Sequence, residues 1–247
     1  MEPKWSHSQT SQSQAGTQID EGLRSYMIRV YNYMAMGVAL TGVVVLLMAN
    51  MPGLMQTLAL GPGKWVVFIA LLGMGFLSPK IMTMQNDALA QLFYWSYCAL
   101  WGVLISPLVV AFLQVEGGVA DVARAFFITA GMFLGTSLFG YTTKKDLTAF
   151  GQFCVMAVIG AVLVGFGMML FGGYSETFSL GFSFVVILLF AGMTAYETQM
   201  IKDMYTHNAG AGAQAIGRMA VYGALMIYGN FVVMFIHVLN ILGIMRE

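Results

Sequence analysis

The sequence predicts an all-α integral membrane protein, a bundle of seven transmembrane helices. Three observations carry that prediction. Only 9% of the 247 residues are charged and 59% are hydrophobic, whereas a soluble domain carries about 25% charged residues. The mean hydropathy is +0.78. Seven nearly uninterrupted charge-free runs follow one another along the chain, most of them long enough to cross a bilayer core about 30 Å thick, which takes roughly 20 helical residues. The 11 basic and 11 acidic residues cancel, and no basic stripe exists to neutralise nucleic-acid phosphates. Cys98 and Cys154 both lie in apolar runs, which excludes a disulfide scaffold and a cysteine-based metal cluster.

The helices are expected near 27–49, 64–82, 89–113, 122–141, 150–172, 179–201 and 220–243. The first presents Gly37 and Thr41 on one face, small residues that let a neighbour approach closely. The second is short and weakened by Gly73, Gly75 and Pro79. The third contains Pro107, which removes a backbone donor and is expected to kink the helix. The fourth carries Gly131 and Gly135 in a GxxxG packing motif, and the fifth carries Ala157, Ala161 and Gly165 at i, i+4 spacing. The 21 methionines are scattered fillers of irregular packing rather than a copper path.

Basic residues orient the bundle. With the N-terminus cytoplasmic and seven crossings, Lys4, Arg24, Arg29, Lys80, Lys144, Lys145, Lys202 and Arg218 fall inside, and Lys64, Arg124 and Arg246 outside. A six-span arrangement, with the C-terminus inside, stays open at this point. Residues 1–22 are polar and rich in Ser and Gln, without the apolar core of a signal peptide. They are expected to form a disordered cytoplasmic tail, with residues 23–247 as the transmembrane domain. The Gly/Ala-rich stretch within 203–218 is expected to be a flexible connector.

An ionisable group within a span is costly, and marks a functional candidate. Glu197 is the strongest. Thr194, Glu197, Thr198 and Ile201 share one face of the sixth helix by spacing. That face either turns its polar members to a water-filled cavity, or Glu197 reaches the interface and pairs with Lys202 or Lys144. In the seventh helix Asn230, His237 and Asn240 form a polar stripe, for which interhelical hydrogen bonding is the plain reading of His237 and Asn240. Glu197 near the inner end of its helix and Asn230 near the middle of its own are expected at different depths. Asp146, after Lys144 and Lys145, is placed to cap the fifth helix. No HExxH, GxSxG or phosphate-cradling loop occurs, so an enzyme is not expected.

The inner turn Tyr141-Thr-Thr-Lys-Lys-Asp-Leu147, the sixth-helix end Tyr196-Glu-Thr-Gln-Met-Ile-Lys202, the segment Arg29-Val-Tyr-Asn-Tyr-Met34 and the Tyr-rich seventh helix resemble the Bax inhibitor-1 family. This family is also called the transmembrane BAX inhibitor motif proteins. The resemblance covers roughly residues 22–245, and the length and short inner loops resemble its bacterial members, implying the bacterial cytoplasmic (inner) membrane. It implies a central C-terminal helix wrapped by the other six, and a pH-sensitive calcium leak gated by a proton shared between two aspartates. Glu197 stands in place of the first aspartate and Asn230 in place of the second. Asn cannot ionise, so the coupling between two carboxylates is lost. The resemblance also suggests Lys80 as a basic partner. Glu197 is then the carboxylate that touches calcium as the transported ion, held weakly, and no other cofactor is implied. The alternative is a regulatory protein that binds a membrane-bound AAA protease without ion flux, since some bacterial relatives interact with such a protease.

Overall fold

The computed structural model describes the backbone of residues 5–84, 86–171 and 175–246, with side chains over 21–84, 86–168 and 175–246. Among them every element is helical. α1 spans Trp5–Asn50, and a short α2 (Pro52–Met55) and a π-helical turn (Gln56–Leu60) follow it. Then come α3 (Gly63–Leu77), a 3-10 turn (Ser78–Thr83), α4 (Asp87–Leu113), α5 (Gly118–Thr142), α6 (Thr148–Phe171), α7 (Glu176–His207) and α8 (Ala213–Ile244). The seven expected spans are α1 and α3 to α8, each long and apolar enough to cross a membrane.

Three boundaries differ from expectation. The segment expected to be a disordered tail is helical from Trp5. Extending a formed helix adds one hydrogen bond per residue without a new nucleus, so a polar Ser/Gln run can be carried along. The connector expected within 203–218 is shorter than that. α7 continues to His207 and α8 begins at Ala213, so the turn shrinks to 208–212. Polar residues marked the membrane boundary there, not the helix end. The second span is α helix only as far as Leu77. Pro79 then tightens it into the 3-10 turn, and Ser78 Oγ donates to the Gly75 carbonyl at 2.7 Å.

Pro107 does not end α4. Its missing N–H leaves the Val103 carbonyl without an amide donor, and Ser106 Oγ donates to that oxygen at 2.7 Å instead. The Ser-Pro pair therefore repairs the break it creates.

α8 is the central helix. It packs against α1, α4, α5, α7 and the 3-10 turn. Tyr228, Ile227, Met234 and Leu239 are completely enclosed. The ring around it is incomplete: α6 packs on α7, and α3 on α4, without touching α8 among the described residues. Gly37 serves as expected, seating the Tyr94 ring and Cys98 of α4 directly on α1. The GxxxG motif does not, because Gly131 and Gly135 face open space. The motif encodes the ability to pack closely, not the side on which a partner lies. The close α5–α7 approach is made by Gly140 against the Ala195 backbone.

The number of crossings is decided at the chain's end. Arg246 Nη1 bonds Asp121 Oδ2 at 3.0 Å, and Asp121 lies in the first turn of α5. That end of α5 is opposite the 143–147 turn, so the C-terminus lies on the face opposite that turn. This excludes the six-span arrangement. The face holding 143–147 and 208–212 is the basic face: Arg24, Arg29, Lys80, Lys144, Lys145, Lys202 and Arg218 lie toward that end of their helices or in its turns.

Candidate functional site

Glu197 is buried, with 8% of its surface exposed, and Asn230 with 4%. Asn230 Nδ2 donates to Glu197 Oε2 at 2.7 Å across the α7–α8 interface. The expected difference in depth is thus bridged, although α8 begins earlier than the sequence suggested. The reason is directional. Side chains lean toward the N-terminus of their own helix. In an antiparallel pair Glu197 leans away from the basic face and Asn230 leans toward it, so the two converge. Spacing along each helix gave the right faces but not this convergence.

The interfacial alternative for Glu197 does not hold. Lys202 Nζ donates to the Tyr141 carbonyl at 3.0 Å and lies 5.6 Å from the Tyr141 ring centroid. It satisfies an orphan carbonyl at the C-terminus of α5. Lys144 makes no ion pair among the described residues. Neither does Lys80, which is exposed in the 3-10 turn, so the structure does not bring the suggested basic partner to Glu197.

Thr194 and Thr198 flank Glu197 and are fully enclosed. They do not line open water. Thr194 Oγ1 donates to the Phe190 carbonyl at 2.8 Å, and Thr198 Oγ1 to the Thr194 carbonyl at 2.7 Å. Because the Thr198 proton is committed, its oxygen accepts from Ser137 Oγ at 2.9 Å. Ser137 in turn accepts from Tyr31 at 2.6 Å. A one-directional hydroxyl chain thus joins α1, α5 and α7 beside Glu197, and its Tyr31 end borders a cavity of about 270 Å³ reaching Arg24 and Tyr141. Sequence reasoning missed Tyr31 and Ser137, since a lone hydroxyl in an apolar helix carries no signal until its partner is known.

The rest of the polar stripe is interhelical glue, as expected. His237 Nδ1 lies 3.1 Å from Ser183 Oγ, and Asn240 Nδ2 donates to Ser179 Oγ at 3.1 Å and Ser183 Oγ at 2.9 Å. Nearer the centre, Tyr228 and Thr41 hydroxyls meet at 2.6 Å, and Thr41 also reaches the Gly37 and Cys98 carbonyls. Beyond this tie, toward the C-terminal face, lies a cavity of about 430 Å³ between α1, α4, α5 and α8. Thr41 is its one polar side chain; Val45, Val109, Phe126, Phe231 and Phe235 are among the apolar groups that line it.

Two of the motifs that carried the resemblance, the inner turn and the end of the sixth span, are stitched to each other. Gln199 accepts from the Leu147 amide at 2.9 Å and donates to the Lys145 carbonyl at 2.8 Å. This clamp fixes the 143–147 turn to α7 two residues from Glu197, a contact that no local pattern announced. Asp146 caps α6 as expected, accepting from the Thr148 amide at 2.8 Å. The contacts with Thr148 hold its carboxyl below the ordinary carboxylate value. The stabilisation is present above the ordinary aspartate range, near pH 4, and is lost as pH falls through the lowered folded value. Asp146→Asn is expected to keep the cap and flatten the acid limb of a thermal-stability profile measured in detergent. An acid limb as steep as that of the unaltered chain would show that the cap charge is irrelevant.

A family model described as Inhibitor of apoptosis-promoting Bax1 matches residues 23–247. The Inner membrane protein YbhL of Escherichia coli is 31% identical over 223 residues, covering 90% of this chain and 92% of YbhL. A Rickettsia prowazekii protein is 31% identical over 229 residues, covering 92% of this chain and 93% of its own. A Deinococcus radiodurans protein is 36% identical over 220 residues, covering 89% of this chain and 90% of its own.

Proposed function

Because the chain belongs to the Bax inhibitor-1 family of membrane proteins, we propose that it is a pH-modulated cation leak, with calcium as the ion. Glu197 is its titrating group and Asn230 the partner. The observation that carries this reading is the buried Glu197–Asn230 contact at the α7–α8 interface, with no cationic side chain bonded to the carboxylate among the described residues.

An ionised carboxylate taken out of water without a counter-charge costs several kcal/mol. Protonated, Glu197 fits the closed bundle. Ionised, it favours any arrangement that lets water or a cation reach it. Asn230 serves both states, since its amide donates Nδ2–H to a carboxylate and its Oδ1 accepts from a carboxylic acid. Calcium takes six to eight oxygen ligands. One carboxylate, one amide oxygen and waters hold it weakly, which suits passage because a conducted ion must also leave. The apolar cavity toward the C-terminal face is the barrier that opening would have to wet. In this reading the basic face is cytoplasmic, following the positive-inside rule.

The test is calcium flux into proteoliposomes at about pH 6 and about pH 8. The leak reading expects more flux at the higher pH than in empty liposomes. No flux at either pH overturns it.

The second reading is a membrane regulatory protein that binds a membrane-bound AAA protease and carries no ions. Among the described residues no group of three or more His, Cys, Asp or Glu side chains suited to a metal ion occurs, so the leak reading rests on Glu197 as a single carboxylate. The regulatory reading expects loss of protease association on deleting residues 1–22, with liposomes silent throughout.

A further inference from the structure

A polar cavity of about 260 Å³ opens on the basic face between α1, α4 and α8. Arg29 and Tyr33 enter it from α1, Asp87 and Gln91 from α4, and Gln214 and Arg218 from α8. Arg218 Nη1 bonds Asp87 Oδ1 at 2.8 Å. Its side chain is only 16% exposed, and its Nε is buried without a partner. Arg29 is exposed, with a guanidinium nitrogen close over Gly217, one residue from Arg218. Two guanidinium groups against one carboxylate leave the cavity with a net charge of +1.

The backbone adds to this. α8 starts at the cavity rim, and its N-cap Gly212 has no side-chain cap, so the first amides of a 32-residue helix lack a capping acceptor. Such an end carries a partial positive charge and free N–H donors. At the start of α4, by contrast, Asn86 accepts from the Ala88 amide. Tyr33 Oη receives the Gln91 amide at 3.4 Å, which leaves its own proton free to donate. The cavity therefore offers donors from three helices and one uncompensated positive charge. It also lies at the bilayer interface: Arg29, Asp87 and Arg218 each fall within two residues of where hydropathy alone begins the first, third and seventh spans.

We propose that this cavity binds the phosphate of an anionic phospholipid headgroup. Arg218 and Arg29 clamp the phosphate oxygens, and the α8 amides approach from below. Basic pockets between transmembrane helices on a basic face suit anionic headgroups, and guanidinium matches phosphate in paired hydrogen bonds. A zwitterionic headgroup brings its own cation and gains less from the net +1. This inference does not depend on ion flux through the Glu197 site.

The experiment uses the full chain in nanodiscs of phosphatidylcholine, with and without a minor fraction of phosphatidylglycerol. Retained lipid is counted by native mass spectrometry, and the thermal midpoint is followed in parallel. The expected result is one tightly retained phosphatidylglycerol and a raised midpoint. Arg29→Gln, an exposed side chain without an ion pair among the described residues, is expected to weaken retention about tenfold. Arg218→Gln should abolish retention, and the off-site Lys80→Gln should leave it unchanged. If Arg218→Gln fails to fold, Arg29→Gln still decides. A parallel arm adds inorganic phosphate to phosphatidylcholine discs. Stabilisation there, sensitive to Arg29→Gln, supports the phosphate site and assigns its source to solution. Equal retention of phosphatidylglycerol by the unaltered chain, Arg29→Gln and Lys80→Gln, with no effect of inorganic phosphate, overturns the proposal.

Discussion

Glu197→Gln is expected to remove the pH dependence of calcium flux, locking the protein near its low-pH behaviour. Glutamine matches the protonated acid in shape and can keep a hydrogen bond to Asn230 at the 2.7 Å contact, but it never carries charge. Any difference in flux between about pH 6 and about pH 8 should fall to that of empty liposomes, because no ionised state remains to favour opening. Asn230→Asp is the complementary change. It sets a second carboxylate within hydrogen-bond distance of the first, and like charges so close resist joint ionisation. One proton is then shared at intermediate pH, and its loss produces repulsion that the natural pair never experiences. A larger difference in flux across the same interval is expected, because the second ionisation is now opposed by the first. If Glu197→Gln retains full pH dependence, the sensor lies elsewhere. If flux is absent from the unaltered chain but present in Asn230→Asp, the asparagine has silenced transport, and the regulatory reading gains.

Gly140→Ala is expected to separate α5 from α7 and destabilise the bundle by about 1–3 kcal/mol, the usual range for overpacking. A methyl group at Gly140 would fall on the Ala195 carbonyl oxygen, with the Ala195 carbonyl carbon at 2.8 Å and Cα at 2.9 Å. All three are backbone atoms, so no side-chain rotation relieves the clash. The strain would also reach two other contacts. Ser137 to Thr198 and Gln199 to the 143–147 turn both cross the same α5–α7 corner near Glu197. Loss of stability should therefore come with altered flux at fixed pH. Gly131→Ala is the control. Nothing lies within 4 Å of a methyl group there, and replacing glycine within a helix is favourable by up to about 1 kcal/mol. Thermal inactivation in detergent separates the two. Equal midpoints for Gly140→Ala and the unaltered chain would mean that the helices shift apart without penalty.

The two glycine sites mark what local pattern can and cannot tell. Gly131 and Gly135 carried the recognisable motif yet face open space, whereas Gly140, in no motif, makes the close crossing. The same holds for polar residues. Asp146 was legible as a cap because a cap is a local contact, made with an amide two residues away. Gln199 was not, because its partners are more than 50 residues away.

By itself the sequence determined the membrane environment, the apolar runs that become the spans, the basic face, and the candidacy of Glu197 and Asn230. Those follow from hydropathy, charge and helical spacing, which act over one or two turns of chain. The tertiary structure alone decided that Glu197 meets Asn230 and that Lys202 is spent on the Tyr141 carbonyl. It also decided that Arg246 ties the C-terminus to Asp121, and that Arg29 and Arg218 share a cavity. Each is a pairing between helices distant in sequence. In lipid, apolar burial exerts no pull between helices, so such pairings are set by close packing and hydrogen-bond geometry, which composition and period do not encode.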